Sequence, residues 1–182
     1  MLSKIINAIS RSAQNSERLI PEYFEFFPLD SKLIRAELNF VVAKCIPADC
    51  ALRFLDVGCG TGNVMFVAES LGFVPTGIEY NPALVKRAPY PLLERYSAEN
   101  GRGIYRQDAF KFVHYGDFDV VYLYCPVANH GLEVMLENLI EAQLKKGAIY
   151  IANTKKDKSI MDNPGFEYLG AENNLPIWRK RG

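Results

Sequence analysis

Apolar residues change their period repeatedly along this chain. Leu33, Ile34, Leu38, Val41 and Val42 fall near helical spacing until Pro47 stops the run, which predicts a leading helix over residues 31–46. Beyond it, short apolar runs alternate with helix-spaced stretches. Strands are expected at 53–57, 74–80, 103–107, 118–124 and 148–153. Helices are expected at 63–71, from the Asn81-Pro82 start, at 92–99 beyond the breaks at Pro89 and Pro91, as a short turn at 109–113, and at 132–144. The runs Val120–Tyr124 and Ala148–Ala152 are almost uninterrupted apolar segments, as strands covered on both faces should be. Residues 166–170 and 176–181 lie too close in sequence for a parallel crossover and predict an antiparallel hairpin. The fold class that follows is α/β: a doubly wound, mostly parallel seven-strand sheet with helices on both faces, ending in an antiparallel C-terminal hairpin.

The first strand runs into Asp56-Val57-Gly58-Cys59-Gly60-Thr61-Gly62-Asn63. Alternating glycines at a strand-to-helix junction allow a tight turn and close approach of a ligand to the backbone, as nucleotide-like cofactors require. The dinucleotide fingerprint needs a third glycine or alanine where this chain has Asn63, so the nicotinamide reading is disfavoured. Acids recur at the carboxyl ends of successive strands: Asp56, Glu79 and Asp108. They would repel a pyrophosphate and attract a ligand bearing an ammonium and a sulfonium. Glu79 also stands about twenty residues past the glycines, the distance at which a carboxylate receives ribose hydroxyls. Each acid has a plainer reading. Asp108 could cap the helical turn beside it, and Glu79-Tyr80-Asn81-Pro82 could be ordinary helix-start chemistry. Cys59 reads as a small space-filler rather than a nucleophile.

Composition narrows the class without naming the ligand. The 182 residues suit one full-cored domain, and 21 basic against 21 acidic residues lack the excess that steers proteins to nucleic acid. Nucleic acid is therefore an unlikely partner. Cys45, Cys50, Cys59 and Cys125 form no C-x-x-C pair, and no metal site is expected. With no secretory signal and no apolar run long enough to span a bilayer, a cytoplasmic protein with reduced cysteines is the simplest expectation. Residues 1–30 read as a separate N-terminal helical and aromatic segment, a candidate substrate lid before a single domain at 31–182. Leu2, Ile5, Ile6 and Ile9 lie at helical spacing beside Lys4 and Arg11. A short amphipathic helix packed on the domain is preferred there over a membrane-surface contact through residues 1–12.

In Asp-Val-Gly-Cys-Gly-Thr-Gly (56–62), Gly-Ile-Glu-Tyr-Asn-Pro (77–82) and Gln-Asp-Ala-Phe (107–110), the chain resembles the class I, seven-strand, Rossmann-like S-adenosylmethionine-dependent methyltransferases over residues 31–181. The resemblance implies S-adenosyl-L-methionine as cofactor and S-adenosyl-L-homocysteine as product. It implies that Asp56 and the Gly58-Cys59-Gly60 backbone hold the methionine portion and Glu79 the ribose. Asp108 and Ala109 would meet the adenine edge, with Tyr80 flanking its ring.

Acceptor chemistry should reside in the loop after the fourth strand, Tyr124-Cys125-Pro126-Val127-Ala128-Asn129-His130. It keeps one proline of the Asp/Asn/Ser-Pro-Pro-aromatic motif of amide and base methyltransferases but neither its polar first residue nor its final aromatic. Tyr124 and His130 are the candidate catalytic residues, Tyr124 also lining the cofactor side; a solvent-exposed turn is an equal reading for His130. Asp119–Pro126, the following leucine helix and Leu144-Lys-Lys-Gly loosely resemble the protein-lysine methyltransferase branch. The expected acceptor is thus an amine, first a protein lysine, which the aromatics at 23–27 would help to desolvate unless they merely pack the first helix. The alternatives are a small-molecule acceptor, or a lapsed enzyme that only binds the cofactor.

Overall fold

The computed structural model describes residues 31–45, 52–93, 102–127, 129–153, 155–170 and 176–182. The expectations for residues 1–30, including the amphipathic helix, the aromatic stretch and the lid, lie outside them. So does most of the helix expected at 92–99.

Eight strands form one sheet: β1 (Arg53–Val57), β2 (Val74–Glu79), β3 (Leu92–Leu93), β4 (Gly103–Arg106), β5 (Val120–Tyr124), β6 (Ile149–Asn153), β7 (Phe166–Tyr168) and β8 (Ile177–Lys180). Their order is β3-β4-β2-β1-β5-β6-β8-β7. All pairings from β3 to β6 are parallel, and β8 is antiparallel to both β6 and β7. The mostly parallel sheet and its antiparallel C-terminal hairpin match the expectation. One element corrects it: Leu92 and Leu93 are not helical but pair with Ile104 and Tyr105 as an added edge strand. Pro89 and Pro91 disfavour helix at Ala88 and Tyr90, which keeps a helix from running into Leu92, and the pairing with β4 makes the two leucines a strand.

Helices α1 (Ser31–Cys45) and α2 (Asn63–Glu69) cover one face, α4 (His130–Gln143) the other, and the single turn α3 (Pro82–Val85) sits beyond β2. On α1 the buried stripe is Ile34, Glu37, Leu38 and Val41, whereas Leu33 and Val42 are exposed. A carboxylate thus occupies a position that apolar periodicity alone would assign to a hydrophobe. Tyr122 (3.2 Å) and Asn153 (3.1 Å) both donate to Glu37 Oε2, tying α1 to β5 and β6. Burial holds the Glu37 carboxyl above its ordinary range, with both donors pulling it back down.

On the opposite face α4 carries a second buried acidic stripe, Glu133, Glu137 and Glu141, one helical turn apart. Lys155 Nζ donates to Glu137 Oε2 and lies 2.8 Å from Glu141 Oε1. Glu137 also accepts from the backbone N–H groups of Lys156 (2.7 Å) and Asp157 (2.8 Å). The segment after β6 is therefore fastened to α4 by one carboxylate. Replacing it would leave a buried ammonium short of one counter-ion and two backbone donors unmatched. Glu137→Ala should lower unfolding free energy by about 3–5 kcal/mol, read from urea unfolding midpoints at constant slope.

Candidate functional site

The strand order reverses between β1 and β5, and the glycine loop leaves β1 at that switch point, where open α/β sheets bind ligands. Gly58, Gly60 and Gly62 all have positive φ, at 75°, 57° and 84°. The first turn is anchored from below, because Gly58 and Cys59 both donate to the Ile78 carbonyl at the end of β2 (2.9 and 3.1 Å). A Cβ on Gly58 would lie 2.6 Å from Pro126 Cβ, so the glycine loop and the loop after β5 touch at a point with no room for a side chain. A Cβ on Gly77 would likewise come within 2.5 Å of Cys59 Sγ. Cys59 is thus the filler between loop and sheet. Burial, then Asp56 and Glu79, drive its thiol well above the ordinary range and keep it protonated.

Two carboxylates dominate the rim. Glu79 accepts from Gly60 N–H (2.9 Å) with one oxygen and from Asn81 N–H (2.7 Å) with the other. It therefore clamps the glycine loop to the start of α3, while Asn81 caps that turn by accepting from Ala83 N–H. Asp56 is buried, pairs in register with Gly77 and Tyr122, and its Oδ2 has no hydrogen-bond partner among the described residues. Burial, and secondarily the Glu79 charge, push its carboxyl up to about 8. A buried carboxyl oxygen left without a partner beside a second acid is an acceptor whose desolvation is uncompensated by the described residues.

Asp108 follows β4 and accepts from Phe110 N–H (2.9 Å), capping the single turn over Ala109–Lys111. Its plainer role is therefore filled. Ala109 is held in place from beneath, its carbonyl receiving the buried Tyr115 hydroxyl at 2.7 Å. Tyr80 directly follows Glu79 and leaves 60% of its surface open, a large ring presented at the rim. Tyr124 ends β5, half-buried and in register with Asn153. Cys125 beside it takes φ +38°, an uncommon conformation for a residue with a side chain. His130 is the exposed first residue of α4, whose N-terminus is capped by Asn129 accepting from Leu132 N–H.

Asp56, Glu79 and the glycine backbone thus form one interlocked unit, and the loop after β5 abuts it at Pro126. The buried Glu37 on α1 and the acidic stripe on α4 were not legible as site features. Acids at helical spacing ordinarily mark a solvated face, and only tertiary packing buries these. No group of three or more histidine, cysteine or acidic side chains that could hold a metal occurs among the described residues. No helix among them is long and apolar enough to cross a membrane.

No protein-family model and no curated protein matches the chain in sequence. Solved structures do match in fold. An RNA methyltransferase from Salinibacter ruber in complex with S-adenosyl-L-homocysteine is similar at TM-score 0.50 and 20% identity, over 69% of this chain and 76% of that one. A S-adenosylmethionine-dependent methyltransferase from Clostridium acetobutylicum is similar at TM-score 0.49 and 18% identity, over 68% and 50%. The amino pentose methyltransferase CalS10 from Micromonospora echinaspora follows at 0.47 and 20%, over 71% and 58%. The chain spans about half the length of the latter two. The fold is that of the class I methyltransferases.

The sign of the Asp56 effect on stability follows from its raised carboxyl. Between the unfolded value near 3.8 and the folded value of about 8, the native state holds a proton that the unfolded state has lost. This group's contribution to stability therefore falls as pH rises through that window. Asp56→Asn should remove that slope and raise the urea midpoint above wild type at pH 9, with the difference shrinking steadily on acidification and little of it left at pH 3.5. Gly58→Ala combines left-handed strain with the Pro126 collision and should cost roughly 2–4 kcal/mol at any pH in the same measurement.

Proposed function

We propose that this protein is an S-adenosylmethionine-dependent methyltransferase acting on an amine acceptor. The observation that carries the reading is the unpartnered, buried Asp56 oxygen at the switch point, next to the Glu79 clamp and the three left-handed glycines.

These residues fit the cofactor chemically. Asp56 offers a carboxylate to the methionine ammonium, with the backbone of Gly58, Cys59 and Gly60 beside it. Glu79 can exchange its hold on Gly60 N–H for ribose hydroxyls, since a carboxylate has lone pairs for both. Tyr80 offers its exposed ring to the adenine, and the Asp108–Ala109 turn its polar edge. When bound, the cofactor supplies an already activated methyl group on a sulfonium. The chain's task is then to bind, align the nucleophile and exclude water, for which few reactive side chains are needed. Tyr124 and His130 flank the acceptor side, Tyr124 at the strand end and His130 across the loop. The choice of a protein lysine among amines rests on the loose sequence resemblance alone, and a small amine fits the described residues equally.

Calorimetric titration with S-adenosylmethionine should give micromolar-range binding, and Glu79→Ala should abolish it without lowering Tm substantially. At pH 6.5 an α-ammonium is charged and Asp56 is protonated, so binding should release about one proton, seen as a dependence of the heat on buffer ionisation enthalpy. Absence of any heat from well-folded wild-type protein would remove the cofactor assignment. Normal binding by Glu79→Ala would remove the ribose assignment.

A further inference from the structure

We infer that Glu133, in the first turn of α4, is the group that receives the acceptor's ammonium, so that the site selects basic amines. The inference rests on the methyltransferase reading and adds the residue that recognises the acceptor.

Glu133 is 2% exposed, yet among the described residues its Oε1 has no hydrogen-bond partner. Its neighbours on the same helix are ion-paired: Glu137 and Glu141 share the buried Lys155, which lies 2.8 Å from the Glu141 oxygen that otherwise has no hydrogen-bond partner. Glu133 is the odd member of the stripe. Burial raises its carboxyl, Lys156 opposes this, Glu137 adds to it, and the Cys125 side chain hydrogen-bonds to it from the loop after β5. That contact places the carboxyl against the loop whose next residue, Pro126, touches Gly58. Cys125 itself is held in the left-handed region, the kind of local strain that persists where surrounding structure over-determines a residue.

A carboxylate in the first turn of a helix needs no ligand if it is solvated, since the helix dipole favours it there. A buried one with a spare oxygen does, because desolvation is otherwise uncompensated. Three stripe acids against Lys155 and Lys156 leave one negative charge in excess when ionised, which suits an ammonium better than a hydroxyl, a carboxylate or a phosphate-rich strand. Glu133 would bind the ammonium and take the proton that it must shed. The freed nitrogen lone pair then forms the new C–N bond as the methyl–sulfur bond breaks onto sulfur, leaving a thioether and a methylated amine.

The test uses the full chain with methyl-labelled S-adenosylmethionine. The probes are glucosamine, spermidine and poly-L-lysine, their N-acetylated counterparts, and total RNA. Label should enter at least one free amine and none of the blocked amines or the RNA. Glu133→Gln should raise the KM for that amine on the order of 10- to 100-fold, with cofactor Kd unchanged. Its Tm should be equal to or above wild type, which a merely structural role would not produce, and Glu133→Asp should recover part of the loss. Label in RNA or in a blocked amine, label in no free amine, or an unchanged KM in Glu133→Gln would each overturn the inference. Cofactor binding separates the two readings: if wild-type protein binds the cofactor while these amine results fail, only Glu133 loses its role.

Discussion

A carboxylate kept out of water at the end of β1 is the constraint on which the rest of the site depends. Asp56 sits where the sheet changes direction, between the registers of β2 and β5, and cannot be solvated without opening the glycine loop. The loop cannot move freely, because Gly58 and Cys59 hang from Ile78, Gly60 from Glu79, and Pro126 closes on Gly58. The cost of the buried acid is met by holding it protonated near neutrality, and a bound cation would relieve it more fully. Stability given up at one point in the fold is how preorganised electrostatic sites generally arise.

Much of this was legible in the residues. Apolar runs with no alternation marked β5 and β6 as central strands, and they lie side by side within the sheet. Asp56, the glycines and Glu79 stood out by residue type and spacing, and the fold brings them together at the end of β1. Leu92 and Leu93 show where such reading fails. Two leucines fit a helix as well as a strand, and the pairing with β4 decided the outcome. Asp108 shows a different limit: capping and ligand binding ask for the same side chain at the same place, and the cap is the bond observed.

The buried acids of α1 and α4 escaped sequence reading for a physical reason. Glu37 lies between apolar turns on its helix, and its burial is tolerable only because Tyr122 and Asn153 arrive from two strands distant in sequence. Glu137 is likewise rescued by Lys155, Lys156 and Asp157 from beyond β6. Partners separated by many residues leave no local periodicity to detect, so the signal exists only in three dimensions.

The two faces of the sheet thereby converge on the same rim. From one side Glu37 braces Tyr122 and Asn153, the latter being the register partner of Tyr124. From the other, α4 reaches the loop after β5 through Glu133 and the segment after β6 through Glu137. The loops that flank the rim are therefore not independent appendages; each is fastened to a helix by a buried carboxylate whose remaining partners are specific. Among the described residues the buried carboxyl oxygens of Asp56, Glu133 and Glu141 have no hydrogen-bond partner, and of these three only the Glu141 oxygen lies in an ion pair, with Lys155. The spare oxygens of Asp56 and Glu133, one at the glycine loop and one beside the β5 loop, are therefore the two points on this rim where a cation can displace a proton and satisfy a buried carboxyl at once.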